Sequence, residues 1–277
     1  MSVSVLILTF NEEQNISRCM DSVKWSDDVL VVDSYSTDKT VDISRKFGAR
    51  VVQNKFVNFA TQRNFGISQT FKHDWILHLD ADEVVTEELH REILEACQHN
   101  EKDAYQVSSK MMFHGRWLRH SSLFPWYQVR LGHRDRLKFV QVGHGQRESL
   151  PAERIGTLKE SLIHYSFSKG ISDWLDKHNR YATLEADQYF RDISSDVPLS
   201  FKEFTKGDAA HRKRALKRLF SRLPCRPFLR FIYMYIYRMG FLDGRPGLTF
   251  CTLLSIYEYF IVLKIKERRL QDRGIPL

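Results

Sequence analysis

Four short, almost unbroken apolar runs lie in the first eighty residues: residues 3–9 (VSVLILT), 28–32 (DVLVV), 49–53 (ARVVQ) and 75–79 (WILHL). Runs of this length without polar alternation predict strands covered on both faces. Helical periodicity predicts helices over residues 11–23, 37–47, 58–70 and 86–99. Strand and helix in alternation predict an α/β fold: a mostly parallel sheet with right-handed crossovers and helices on both faces. Ligands of such a sheet bind beyond the carboxyl ends of its strands.

The pattern changes after residue 104. The segments AYQVSSKMMFHG, WYQVRLGH, LKFVQVGHG and LKESLIHYSF predict a mixed or antiparallel extension of the sheet. Residues 172–190 then predict one long helix. Farther on, Arg214, Lys217, Arg218 and Arg222 recur three to four apart beside Leu216, Leu219, Phe220 and Leu223, which predicts a basic amphipathic surface helix. Pro227 stands where a first helical residue would, ahead of an aromatic-rich run. Residues 248–265 approach bilayer length but carry Glu258 and Lys264, a composition better suited to an interface than to a span. The expected division is a catalytic domain over residues 1–200 and a helical basic region over residues 201–277.

Charge sharpens this division. The net charge of +8 resides in the tail, where residues 202–277 hold 17 Lys and Arg against 6 Asp and Glu; the preceding residues hold 25 against 28. A basic segment interleaved with aromatics serves nucleic acid or an anionic membrane, and the helical spacing favours the membrane surface. With 43% hydrophobic and 27% charged residues, the composition excludes fibrous and disordered classes. Four scattered cysteines without a C-x-x-C pair suggest neither a disulfide framework nor a zinc site, and the N-terminus lacks a basic leader, so a cytoplasmic setting is expected.

The chemistry concentrates at predicted strand ends. Glu12, Asp33, Asp80 and Asp82 follow the first, second and fourth strands, so the fold brings them to one rim. Converging carboxylates suit a divalent cation, Mn²⁺ or Mg²⁺, whose shell substrate phosphates complete. The alternative for the D-x-D pair is capping of the helix that begins near Thr86.

TFNEEQNI, VLVVDSYSTDKTV, QRNFGI and WILHLDADE, in this order and spacing, resemble glycosyltransferase family 2, the inverting enzymes of GT-A fold that use nucleotide-activated sugars. The later VGHGQRE, LIHYSFSKG, KHNRY and FLDGRPGLTFC are similar to the branch with lipopolysaccharide-core β-1,4-glucosyltransferases and related capsule and O-antigen enzymes. The resemblance implies that Thr9, Asn11 and Glu12 line the ribose and base, that Asp33 contacts the nucleobase, and that Arg63 lies on the donor side. It also implies Asp80 near the ribose or sugar, Asp82 and His164 on the metal, and Glu148 as the base that deprotonates the acceptor hydroxyl, with His144 as competitor.

Outside those motifs, Trp117 and Trp126 lie in a segment whose Trp, His and Arg content suits sugar stacking or core packing. Lys177 and Arg180 share a helix face with Tyr181, suited to a phosphate contact or to a salt-bridged surface. The expected activity is transfer of a hexose, glucose as the first choice, from a UDP-sugar to a lipid-linked saccharide. The expected place is the cytoplasmic face of the bacterial inner membrane, held peripherally. The alternatives are a sugar-nucleotide pyrophosphorylase, which calls for a glycine-rich phosphate loop that TFNEEQN lacks, and a nucleic-acid binder, which leaves the carboxylate rim unexplained. No nucleic-acid partner is expected.

Overall fold

The apolar run after Ser2 forms β1 (Ser4–Thr9), every residue of which is buried, because helices cover both of its faces. The chain is described from a computed structural model over residues 2–142, 145–194 and 225–276. It divides into two compact units, Met1–Gly170 and Ile171–Leu277. The expected boundary at residue 200 falls outside the described residues, and the long helix after Gly170 groups with the second unit.

In the first unit, β1 is followed by α1 (Ile16–Ser22), β2 (Val29–Asp33), α2 (Thr40–Lys46), β3 (Arg50–Gln53), α3 (Phe59–Ile67), β4 (Trp75–Asp80), β5 (Glu83–Val84) and α4 (Glu87–His99). Strands β3, β2, β1 and β4 lie side by side and parallel, which leaves the switch in strand order between β1 and β4. The first helix begins five residues later than its periodicity predicts. Asn11 adopts a left-handed φ of 52°, and its Oδ1 accepts from Thr37 N at 2.8 Å, so the chain turns before it coils. Two polar caps start the later helices: Asn58 accepts from Thr61 N and Thr86 from Leu89 N.

The expected mixed extension comprises β6 (Ala104–Phe113), β7 (Arg116–Trp117), β8 (Tyr127–His133) and β11 (Ile155–His164). The sheet order is β3-β2-β1-β4-β8-β6-β11-β5, with β7 on β6. Strand β8 inserts antiparallel between β4 and β6, while β11 runs parallel to β6 and antiparallel to the short β5. A separate hairpin, β9 (Phe139–Val142) with β10 (Gly145–Glu148), packs on α3 through Asn64, whose amide bonds both ways with the Phe139 backbone. The core is split by the sheet: Val5, Ile7, Leu77 and Leu79 face α1 and α4, and Leu6, Leu8 and Ile76 face the other side.

The second unit is helical. It holds α5 (Gly170–Ser194), α6 (Arg226–Ile232), a π-helical turn (Tyr233–Tyr237), a 3-10 turn (Gly240–Asp243) and α7 (Gly244–Asp272). The basic amphipathic helix expected near residues 214–223 lies outside the described residues. Pro227 sits in the first turn of α6, as expected. Helix α6 runs back along α7, with Arg226 paired to Glu258 at 2.6 Å and Ser255 Oγ donating to Pro227 O at 2.6 Å. At the closed end a Cβ on Gly247 would stand 2.3 Å from the Gly240 carbonyl oxygen, so this approach of two backbones requires glycine. Gly247→Ala is accordingly expected to destabilise the second unit by about 1–3 kcal/mol through overpacking. An unchanged second-unit unfolding transition in calorimetry would contradict that close approach.

Candidate active site

The carboxyl ends of β1 and β2 are tied together. Asp33, fully buried, accepts from Thr9 Oγ1 at 3.0 Å, Ser36 N at 2.9 Å and Gln53 Nε2 at 3.1 Å, and from the Ser36 hydroxyl. Asn11 N donates to Ser36 Oγ at 2.8 Å, which stitches the β1–α1 loop to the β2–α2 loop. Thr9 and Asp33 thus hold the loops, while the rings of Phe10 and Tyr35 stand exposed on either side of the stitch. Tyr35 holds a left-handed φ of 63°, unusual for an aromatic residue.

At the end of β4, Asp80 lies between two buried guanidinium groups. Arg63 from α3 donates to Oδ1 at 2.7 Å and Arg130 from β8 donates to Oδ2 at 2.7 Å. Arg130 also donates to Glu83 Oε1 at 2.6 Å, and Glu83 Oε2 accepts from Asp80 N at 3.0 Å. Burial alone would raise the Asp80 carboxyl, but Arg130 and Arg63 outweigh it and hold the group well below the usual carboxylate range. Burial lowers the Arg63 guanidinium to about 10. Burial, together with Arg63 and Arg130, lowers the His78 imidazole well below its ordinary value.

Asp82 and His164 are brought together by sheet register. Strand β11 pairs His164 with Glu83, and Tyr165 N donates to Asp82 O at 2.9 Å. The result is His164 Nε2 at 3.2 Å from Asp82 Oδ2, both side chains partly exposed. Burial opposes the charged imidazolium, but Asp82, then Glu83 and Asp80, push the His164 pKa up to about 9. Glu12, raised above its ordinary range chiefly by burial, feels the charge of Asp82 and pairs with Lys169 at 2.5 Å. One carboxylate oxygen and one imidazole nitrogen converging in this way match the donor types that Mn²⁺ accepts. No cluster of three or more His, Cys, Asp or Glu suited to a metal occurs among the described residues.

The structure therefore gathers Glu12, Asp80, Asp82 and His164 near the switch point, with Arg63 behind Asp80. Asp33 and Thr9 are turned into the loop stitch, so the four carboxylates do not all face one crevice. Glu148 lies half-buried on β10, on the same strand face as Gln146. With its amide oriented to satisfy both neighbours, Gln146 accepts from Arg63 Nε at 2.6 Å and donates to Phe59 O at 3.2 Å. His144 lies outside the described residues. Trp117 is partly buried against Phe124 and within cation–π distance of Lys110 and Arg119, whereas Trp126 is exposed. Lys177 and Arg180 are exposed on α5 in the second unit.

Sequence patterns missed Arg130, Glu83 and Lys169. Arg130 carried a usable signal, a charge between the apolar Val129 and Leu131 in a strand.

Comparison with known proteins bears on this geometry. The fold is GT-A: a mannosyltransferase from Pyrobaculum calidifontis, solved in complex with GDP-Man and Mn²⁺, superposes with a TM-score of 0.51 at 17% identity, covering 95% of this chain and 86% of that one. That likeness shows the fold alone; the class of the protein, a glycosyltransferase enzyme, follows from its family and its relatives. Residues 4–147 match Glycosyl transferase family 2, and the chain belongs to that family. An uncharacterized glycosyltransferase of Rickettsia typhi is 38% identical over 99% of this chain and 89% of its own length. The lipopolysaccharide core biosynthesis glycosyltransferase LpsC of Rhizobium meliloti is 22% identical over 97% of this chain and 93% of its own.

Proposed function

We propose that this enzyme is a metal-dependent, inverting transferase that moves a hexose, glucose as the first choice, from a UDP-sugar to a lipid-linked saccharide. The product belongs to bacterial surface polysaccharide, lipopolysaccharide foremost, and the enzyme works peripherally at the cytoplasmic face of the inner membrane. The observation that carries this reading is the convergence of Asp82 and His164 beside Asp80 at the switch point. Similarity to LpsC, named for lipopolysaccharide core biosynthesis, supports the acceptor class.

In this reading Phe10 and Tyr35 offer faces on which the nucleobase stacks, and the Asn11–Ser36 stitch fixes the distance between their loops. Asp80, held by Arg63 and Arg130, presents its edge to the ribose or sugar. Asp82 and His164 would hold the divalent cation, which would supply positive charge to offset that of the leaving diphosphate. Glu148 takes the proton of the acceptor hydroxyl, which attacks the anomeric carbon on the face opposite the leaving diphosphate. Gln146, two residues earlier on the same strand face, aims that face of β10 at Arg63 and thus toward Asp80.

Nucleoside-diphosphate release from a panel of UDP-, GDP- and dTDP-sugars, with Mn²⁺, Mg²⁺ or a chelator, tests the donor assignment. Release of UDP from one sugar, and only with cation, is the expected result. Release confined to a GDP- or dTDP-sugar would overturn the choice of UDP.

A further inference from the structure

The antiparallel pair formed by α6 with its π-helical turn and the first half of α7 ends in an apolar tip. Ile236, Tyr237, Met239, Phe241 and Leu242 are all exposed there, Tyr237 by 76%. Five large apolar side chains within seven residues form a surface that a soluble protein rarely leaves in water. Two charged groups of the pair are turned inward: Asp243 is 3% exposed, and Arg226 is buried in its ion pair with Glu258.

We infer that this closed end embeds in the interfacial zone of one leaflet of an anionic bilayer and is the enzyme's membrane anchor. The inference rests on the proposed action on a lipid-linked acceptor and specifies how the enzyme reaches it.

Three features select a lipid surface. First, tyrosines and aliphatic side chains occur with Arg245, exposed one residue into α7, a combination that places rings at headgroup level and lets a long cation reach phosphate. Second, the tip's own charge is complementary to anionic lipid, since residues 236–247 hold Arg238 and Arg245 against the single, buried Asp243. Third, the mode of packing argues for one leaflet. Gly240–Asp272 is, by length and composition, the one helical stretch among the described residues able to cross a bilayer. Its second half, however, is covered by α5: Ile261 and Ile265 are buried against Ala182 and Ala186, and Arg268 pairs with Asp187 at 2.6 Å. Helix α5 presents Asp173, Asp176, Lys177 and Arg180 outward, a face that hydrocarbon would not accept. Only the tip and the first half of α7 are left for lipid, at the depth of about 5–10 Å typical of interfacial helices.

Flotation of the full-length chain with phosphatidylglycerol-rich vesicles, and with phosphatidylcholine vesicles for comparison, tests the anchor. Tyr237→Glu/Leu242→Glu is expected to lower partitioning into the anionic vesicles by about tenfold or more. Leu184→Glu, at an exposed position on α5, is expected to leave it unchanged. Circular dichroism and UDP binding in solution, expected to match wild type in both variants, separate loss of the anchor from loss of the fold or of the donor site. A fluorophore on Leu242→Cys, in a Cys225→Ser background that removes the exposed native thiol, is expected to shift to the blue on anionic vesicles and to stay beyond reach of a quencher sealed in the lumen.

Undiminished flotation of the double glutamate variant would overturn the inference, as would a fluorophore that stays water-like on floated protein. Quenching from the lumen would show a span instead. A solution dimer that the variant converts to monomer, with flotation unchanged, would assign the tip to a second copy of the chain.

Discussion

Asp82→Asn is expected to slow nucleoside-diphosphate release about a thousandfold while leaving the melting temperature within about 2 °C of wild type. The two halves of this expectation have separate causes. Asp82 and His164 are both partly exposed, so their ion pair contributes at most about 1 kcal/mol to stability. The same carboxylate supplies the anionic oxygen of the proposed cation pair, and an amide in its place is a far weaker ligand for a divalent ion. Three orders of magnitude in rate correspond to about 4 kcal/mol of transition-state stabilisation, within the range attributed to a bound cation acting on a leaving diphosphate. A variant with wild-type turnover would remove Asp82 from the site. A variant that unfolds early would mean that the pair is structural.

Arg130→Met is expected to do the reverse and strike at the fold first. Its guanidinium, 3% exposed, is shared between Asp80 and a fully buried Glu83, so its removal leaves the Glu83 carboxylate without its counter-ion. Breaking a buried pair from one side typically costs about 3–5 kcal/mol, which for a unit of this size lowers the melting temperature by about 10 °C. Arg130→Met/Glu83→Met, which strands no charge at that position, is expected to regain part of the loss, and a double-mutant cycle with Glu83→Met reports the coupling. Additive losses in that cycle would contradict the shared network. Asp80 keeps Arg63 in both variants, so residual donor binding separates the two arginines.

The contrast between these variants mirrors what could be read along the chain. The parallel half of the sheet was legible because β1, β2 and β4 are apolar runs that end in Asp33, Asp80 and their neighbours, in alternation with helices. Asp82 and His164 were legible from motif and residue type, but their meeting depends on β11 pairing with the two-residue β5, a register no local pattern encodes. Arg130 escaped for the same reason. Strand β8 enters the sheet beside β4 from fifty residues away, and alternation within β8 tells which way Arg130 faces without telling what it faces. Asp33 shows partners that its motif did not announce: D-S-x-S supplies local donors, and Ser36 and Thr9 bond both carboxylate oxygens. In the second unit, Pro227 and the aromatic run announced a helix, whereas the doubling back of α6 on α7 depends on the Gly240–Gly247 approach and the Arg226–Glu258 pair.

The central claim is that the end of β4, with His164 beside it, forms a cation-dependent nucleotide-sugar site. Calorimetric titration of UDP into the full-length enzyme, with Mn²⁺ and then with chelator, tests it without needing the acceptor. Binding in Mn²⁺ that weakens at least about tenfold in chelator, and equally in Asp82→Asn, is the predicted result. UDP affinity indifferent to the cation, or unchanged by Asp82→Asn, would contradict it.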